Sequence, residues 1–473
     1  MRKQETPEQL AARKQKEAKE IVKWERIKAQ KLPKHYFFML MIVVTVVYIV
    51  DEISSNMNGT FLPYIYFDFF NITSRSTADP LYSDAINKMT IFGIIPMLFG
   101  IIQPFYKSLS DTYGRRLFLM INTCMMGVGL FVCLIAPNIV VYLIGGLILS
   151  FATPNDVQVI YIMEVAPKEK RSTLCFLTKS IAWASVSLIS VLQNVFFSDS
   201  DLGWWRRAYL IPVVFAIVVG LLSILFARET PVFMDERLKF LYSTEEERAE
   251  KDRKMREEKS ANKGGLINAY KFIFAHKQTR AIALVGVFFG GTTLYTSHYA
   301  TIMKGGLTDA ELQTAIFLYP FINAAVSTTC GILMDKLGRK KACVICGTCA
   351  VSMLIMFILS SRLGFDPILT GIFYGASIGG LWTMSDTICM TIPAESAPSE
   401  IRASVMSATG LCFGIGMVIS LTLITVFQNI FDIAWVCLAT CAPFMIAAIV
   451  ILLTKVHETA GVDLEKVTGY EYD

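Results

Sequence analysis

Asp111-Thr-Tyr-Gly114-Arg115-Arg116 and Asp335-Lys-Leu-Gly338-Arg339-Lys340 are two versions of one pattern, set 224 residues apart. Glu164-Val-Ala-Pro167 followed by Arg171 recurs as Glu395-Ser-Ala-Pro398 followed by Arg402, at an offset of 231. Arg228-Glu229-Thr230 returns as His457-Glu458-Thr459, with the two glutamates 229 apart. Three motifs in one order at nearly one offset define an internal duplication. Each copy offers the same parts. Arg carries a planar fork that can pair two carboxylates, and Gly114 and Gly338 allow a tight turn where helix ends approach.

Outward from these motifs the chain is apolar. It has 473 residues, 54% hydrophobic and 18% charged, with mean hydropathy +0.50. A soluble chain carries about 25% charged residues. The apolar residues run in stretches of about 20, enough to cross a ~30 Å hydrocarbon core. These features exclude a soluble enzyme, a fibre and a disordered chain. They also exclude an outer-membrane barrel, which needs alternating strands of about ten residues. The fold class expected is an all-α polytopic membrane protein of twelve transmembrane helices in two pseudo-symmetric six-helix halves.

The spans are read at 36–58, 88–106, 117–136, 139–163, 172–197, 205–227, 280–303, 312–334, 342–361, 366–392, 403–429 and 432–454. A basic N-terminal segment, 1–35, precedes an N-terminal half, 36–227. A charged linker, 228–279, leads to a C-terminal half, 280–454, and a tail, 455–473. The stretch 235–260 of the linker shows almost no apolar face and reads as solvated surface helix. Lys23, Arg26, Lys28, Lys31 and Lys34 precede span 1. Lys107, Arg115 and Arg116 follow span 2, Lys168, Lys170 and Arg171 follow span 4, and Lys336, Arg339, Lys340 and Lys341 follow span 8. All fall on one side, which places both termini in the cytoplasm. The start of the chain reads as no signal peptide. Asn71-Ile-Thr73 is a glycosylation sequon on the other side. The net charge of +5 comes without a basic, aromatic-rich soluble patch, so no nucleic-acid partner is expected. The 11 cysteines sit mostly in apolar runs and form neither a disulfide framework nor a metal pattern.

The motifs resemble the major facilitator superfamily. Asp-x-x-Gly-Arg-(Arg/Lys) after spans 2 and 8 resembles its signature loop. Tyr161-Ile-Met-Glu164-Val-Ala-Pro167, Trp205-Arg206, Glu229-Thr-Pro231 and His457-Glu458-Thr459-Ala-Gly461-x-x-Leu464-Glu465 are similar to those of its sugar-porter branch, with His457 where that branch has Pro. The resemblance implies a twelve-helix transporter. Span 7 departs from it: Phe288-Phe-Gly-Gly-Thr-Thr-Leu-Tyr295-Thr-Ser-His298-Tyr299 lacks the branch's Gln and Asn hexose ligands. Ile144-Gly145-Gly146 likewise stands where Gly-Arg is usual. A charged or zwitterionic metabolite is therefore expected over a hexose.

The recurrent charges are expected to form a gate on the cytoplasmic side. Its members are Asp111, Gly114, Arg115, Arg116, Glu164, Arg171 and Glu229, then Asp335, Gly338, Arg339, Glu395, Arg402 and Glu458. They read either as a breakable latch or as surface pairs worth about 0–1 kcal/mol each. Inside the spans, ionisable groups cost roughly 2.5–3.5 kcal/mol at mid-membrane and are functional candidates. Asp51 or Glu52 is the expected proton carrier, the alternative being a structural carboxylate. The resemblance puts Asp51 at the branch's span-1 Asp, though Ile49-Val50 replace the usual Gly-Tyr-like turn. Asp156 and Asp386 occupy near-equivalent positions of the two halves and are expected to line the pathway as further proton-coupling candidates. Lys179 pairs with Asp156 or Asp51, or binds a substrate carboxylate. His298 is a proton relay or a packing residue. Asn56, Asn58, Gln103, Asn155, Gln158, Gln193, Asn194, Tyr295, Tyr299, Asn323 and Trp382 are expected to line the cavity in part and to bond between helices in part. Gly410-x-x-x-Gly414 reads as a close-packing point.

The expectation is a monomeric secondary active transporter in the plasma membrane. It moves a small organic solute by alternating access, with proton coupling and no cofactor. Import and drug-like efflux both stay open, and a non-transporting nutrient sensor is the alternative. No loop carries a nucleophile–base or metal motif, so an enzyme is not expected.

Overall fold

The computed structural model describes residues 7–31, 33–74, 79–92, 113–153, 157–165, 171–244, 246–247, 250, 265–397, 402–428 and 430–459. Among them it is helical throughout, and seven helices are long and apolar enough to cross a membrane unaided. The helices are α1 Pro7–Ala29, α2 Tyr36–Phe69, α3 Pro80–Phe92, α4 Arg115–Ile135, α5 Ile139–Ala152, α6 Val157–Val165, α7 Arg171–Ser185, α8 Ser187–Phe196 and α9 Trp205–Phe226. After the linker helices α10 Pro231–Tyr242 and α11 Gly265–Ala275 come α12 Lys277–Gly290, α13 Tyr295–Lys304, α14 Asp309–Leu337 and α15 Arg339–Arg362. The chain closes with α16 Pro367–Asp386, a π-helical turn Thr387–Thr391, α17 Ile392–Glu395, α18 Arg402–Phe427 and α19 Ile433–Lys455.

Helix starts follow local chemistry. Thr308 and Glu311 form a capping box at α14. Asp366 and Asp432 cap α16 and α19 with side-chain oxygens, and Pro367 takes the first position of α16. Arg116 donates to the carbonyl of Ile224 near the end of α9, where a cation is favoured.

In the N-terminal half α4 packs on α9 and α5, and α2 on α9 and α7. The C-terminal half mirrors this with α14 and α15 on α16, and α12 on α18 and α19. The halves meet where α7 and α8 lie on α14, α13 on α2, and α18 on α3. One face, the linker face, carries Arg115, Glu229, Arg339 and Glu458. The far face carries the opposite helix ends.

Several spans differ from expectation. Span 1 extends to Phe69 because Asn56, Asn58 and Thr60 do not end it. They bond to Tyr319, Tyr209 and Tyr299, so the helix stays among partners for 34 residues. Span 2 begins early, at Pro80, and its part beyond Phe92 lies outside the described residues. Span 5 bends at Val186, and span 10 ends in the π-helical turn. Span 7 is two helices separated by turns at 291–294. Its lower piece is bound tightly to α18. A Cβ added at Gly290 would fall inside contact distance of the Phe413 carbonyl, and one at Gly416 would meet the Val287 carbonyl. Gly410 and Gly414 have nothing within 4 Å of such a Cβ, so close packing rests on Gly416 and not on the expected pair.

The linker is less solvated than its charge suggested. Phe233, Met234, Leu238 and Leu241 of α10 are buried. Helix α1 lies against α10, with Arg237 reaching both oxygens of Glu20 at 2.8 and 3.1 Å, and Trp24 edge-on to Phe233 at 5.7 Å. Arg237 holds the Glu20 carboxyl below the usual carboxylate range.

Candidate functional site

Three polar layers lie along the axis between the halves. The first is a pair of clasps on the linker face. Gly114 sits at φ 108°, a backbone angle that favours glycine, and turns the chain so that the N–H of Arg115 points at Glu229 Oε1, 2.8 Å away. The N–H of Arg116 donates to the same oxygen at 3.2 Å. The Arg115 guanidinium pairs with Glu164 at 3.1 Å, and the Thr230 hydroxyl donates to the other oxygen of Glu164. Arg115 also lies over the Phe233 ring at 5.3 Å, which ties the clasp to α10.

The second half repeats every step. Gly338 has φ 88°, and the N–H groups of Arg339 and Lys340 donate to Glu458 at 2.7 and 3.1 Å. Arg339 pairs with Glu395 at 3.5 Å, and Thr459 donates to Glu395 at 2.5 Å. The copies differ in burial. The side chain of Arg115 is 7% exposed and that of Arg339 26%. Burial pushes the Glu229 carboxyl up, with the three N–H groups of Arg116, Thr230 and Arg115 partly opposing it.

The second layer is the centre. Asp51 is buried and accepts from Gln158 Nε2 at 2.6 Å. Glu52 is half-buried on the next position of α2. Tyr299 hydrogen-bonds Thr60 across the halves and stacks on Tyr374 at 4.7 Å. Tyr295 bonds Ser377 at 2.6 Å. A narrow cleft of about 50 Å³ opens between α7, α14 and α16. It is lined by Lys179, Ser180 and Trp183 from one half and by Ser327, Thr328, Trp382 and Thr383 from the other. The Trp382 Nε1 is buried without a hydrogen-bond partner, as is Nδ2 of Asn323 nearby on α14.

The third layer seals the far face. Lys304 pairs with Asp309 at 2.6 Å, and the Tyr64 hydroxyl donates to the same Asp309 oxygen. Gln193 donates to Tyr64 at 2.9 Å, and Lys304 also lies over the Tyr64 ring. Ser187 and Ser190 on α8 donate to the carbonyls of Phe317 and Gln313 on α14 at 2.8 and 2.7 Å.

The structure thus brings together Gly114, Arg115, Arg116, Glu164 and Glu229 in one clasp, and Gly338, Arg339, Glu395 and Glu458 in the other. Asp51, Gln158, Lys179, Tyr295, Tyr299, Asn323 and Trp382 lie at the centre. Asn56 bonds the Glu52 carbonyl and Tyr319, and Asn58 accepts from Tyr209. Gln193 belongs to the far-face seal. Asn194 is exposed on the outside of α8, one position round the helix from Gln193. His298 is buried on α13 with Nδ1 unbonded, placed among packing residues. Gln103, Asp111, Asn155 and Asp156 lie outside the described residues, as do the side chains of Arg171, Asp335, Asp386 and Arg402.

Sequence reasoning missed Thr230 and Thr459 as clasp members, although both stood inside the repeated motif. It missed the far-face seal of Tyr64, Lys304 and Asp309. The signal there was a basic and an acidic residue five apart in a short loop. Tyr319 and Tyr374 gave no signal beyond being aromatic in apolar runs.

Duplicated helical halves, joined along a polar axis and clasped at matching ends, are the architecture of a membrane transporter. The family model of the Major Facilitator Superfamily matches residues 44–421 and, in a second match, 281–468. The chain belongs to that superfamily and is a multi-pass membrane protein. It is 24% identical to the mouse (Mus musculus) solute carrier family 2, facilitated glucose transporter member 12, over 281 residues. That alignment takes in 54% of this chain but 44% of the relative, so the chain spans less than half of the relative's length there. It is also 24% identical over 381 residues to YwtG of Bacillus subtilis (strain 168), whose name assigns it to metabolite transport, covering 76% of this chain and 81% of that one. Among solved structures, a D-xylose-proton symporter superposes with a TM-score of 0.63 at 16% identity, over 90% of this chain and 99% of the other. The inward-open xylose transporter XylE from E. coli gives 0.60 at 16%, over 91% and 98%. At these identities the likeness is one of fold.

Proposed function

We propose that the chain is a secondary active transporter for a small organic solute bearing a carboxylate. It works by alternating access and is driven by protons. The observation that carries the substrate class is the central cleft, which Lys179, Trp183 and Trp382 line together with four hydroxyls drawn from both halves. Lys179 brings a positive charge to the cleft, the indole N–H of Trp382 is an unmet donor, and the two rings offer apolar faces. The far-face seal closes the solute path on the side opposite the linker face, which is taken as cytoplasmic. Asp51, buried against Gln158, is the group taken to carry the proton. A monomer in the plasma membrane suffices for this cycle, with lipid as its other partner.

The test is uptake into proteoliposomes of radiolabelled mono- and dicarboxylates, amino acids and hexoses, with and without an imposed pH gradient. A carboxylate should be taken up and Lys179→Gln should slow it at least tenfold. Asp51→Asn should remove the response to the gradient. Hexose uptake unaffected by Lys179→Gln would overturn the reading.

A further inference from the structure

A polar cavity at the far-face seam and an apolar one within the second half lie outside the transport path and share one residue. The first is polar, about 180 Å³, and lies between α3 of one half and α13, α15 and the α18–α19 connection of the other. Three buried polar atoms in it are not satisfied by ordinary hydrogen-bond geometry: the hydroxyls of Tyr82 and Thr301, which lie beside each other, and Oε1 of Gln428. Their residues are 2%, 2% and 7% exposed. Unsatisfied groups buried to this degree cost about 1–3 kcal/mol each and ask for an occupant. The fourth polar element, Arg362, is already neutralised. Its guanidinium is held by Asp432 through contacts of 2.9 to 3.1 Å.

The second cavity is apolar, about 700 Å³, and is lined by α18, α19 and Phe288 of α12, on the face where Phe427, Phe431 and Trp435 are exposed. It starts at Phe431 and Trp435 and runs along α19 to Ala447. The 12 helical steps from Trp435 to Ala447 cover about 18 Å at 1.5 Å per residue, more than the ~15 Å depth of one leaflet's hydrocarbon. Phe431 lines both cavities. The polar one lies at the helix ends, at headgroup depth beside an exposed Trp435, and the apolar one leads inward from it.

We infer that these joined cavities form a binding site for a membrane amphiphile with an uncharged, hydroxyl- or ester-bearing head and one hydrocarbon tail. The head fills the polar cavity and satisfies Tyr82, Thr301 and Gln428. The tail lies in the groove. The neutral Arg362–Asp432 pair leaves no net charge to bind an anionic head. The roughly six waters that 180 Å³ could hold would hydrate the head cavity but would not fill the apolar one. The site also touches the seal. Gln428 donates to Asn87 across the halves, and Arg362 donates to the Ile302 carbonyl of α13 at 2.6 Å.

The full chain in lipid nanodiscs is photolabelled with a monoacylglycerol carrying a mid-chain diazirine, and in parallel with a phosphatidylglycerol carrying the same chain. Labelled peptides are mapped by mass spectrometry. The neutral probe should mark 435–447 at least fivefold more than the anionic one. Tyr82→Phe with Thr301→Val should cut that labelling at least threefold, and excess glycerol should not compete. Equal labelling by both probes, or labelling indifferent to the hydroxyl variants, would mean a groove merely bathed by bulk lipid and overturns the inference. Competition by glycerol would mean a free-polyol site and also overturns it. If the double variant does not fold, Ala439→Trp, which fills the groove, must abolish the labelling. None of these readouts depends on transport, so they stand apart from the substrate assignment.

Discussion

Oε2 of Glu229 occupies the space where a side chain on Gly114 would begin, and Glu458 stands over Gly338 in the same way. The glycine and the carboxylate are thus one device. The missing Cβ lets the acid reach two backbone N–H groups at a helix start, where negative charge is favoured. Gly114→Ala should therefore strain the turn by about 1–3 kcal/mol and displace the carboxylate. Transport should fall at least tenfold with surface expression retained. Gly338→Ala should act in the same direction but less, because its clasp is more exposed. Equal wild-type rates in both variants would remove the clasps from the cycle.

Glu229 sets a pH dependence with a definite sign. Its carboxyl is pushed up by burial when the clasp is formed, so the clasped state binds a proton more readily than the released one. Its contribution to the clasp is fully present below the ordinary Glu value of about 4.3 and is lost as pH rises through the raised value. Melting temperatures of purified wild type and Glu229→Gln, compared from pH 7.5 down to 5, should show wild type gaining on the variant with acidification. A constant difference would contradict this.

The far-face seal should be breakable one bond at a time. Tyr64→Phe removes a hydrogen bond and Asp309→Asn removes the ion pair with Lys304, each worth about 0.5–1.5 kcal/mol, or about 2–10-fold in an open–closed equilibrium. A cysteine at Ser190 should then react faster with a membrane-impermeant maleimide added from the far side. Unchanged reactivity would show that the seal lies elsewhere.

Glycines of one sequence type should behave oppositely. Gly290→Ala drives a methyl into the Phe413 carbonyl and should destabilise by several kcal/mol or prevent folding. Gly410→Ala meets open space and should be neutral, or stabilising by up to about 1 kcal/mol. Melting curves of the two variants decide it.

The duplication was legible because charge is rare here and its placement repeats. Arg115, Glu164 and Glu229 could be paired with Arg339, Glu395 and Glu458 before any coordinates. Span ends were legible where a charged loop followed, as at Arg362. They were not at Asn56 and Asn58, since polar residues end a helix in lipid but not in a helix interface, and sequence does not show which applies. The same ambiguity hid the break in span 7. Gly290 and Gly291 could mark a bend or a close approach, and here they mark both. Lys179 and Trp382 were picked singly as polar or aromatic groups in apolar runs. That they share a cleft depends on how α7, α14 and α16 cross.

The glycine contact between Gly290, Gly416 and their neighbours has a mechanical consequence. Below the break, α12 packs backbone to backbone on α18; above it α13 is held by Thr60 and, at its far end, by Arg362 on the Ile302 carbonyl and by the close approach of Gly306 to the Ser361 carbonyl. The ten residues of α13 make a lever about 15 Å long, so a tilt of roughly ten degrees at its foot carries Lys304 some 3 Å. That is as far as Lys304 reaches to hold Asp309. A small rotation at two glycines therefore loosens the far-face seal when the contacts of Gly306 with Ser361 and of Arg362 with Ile302 yield with it.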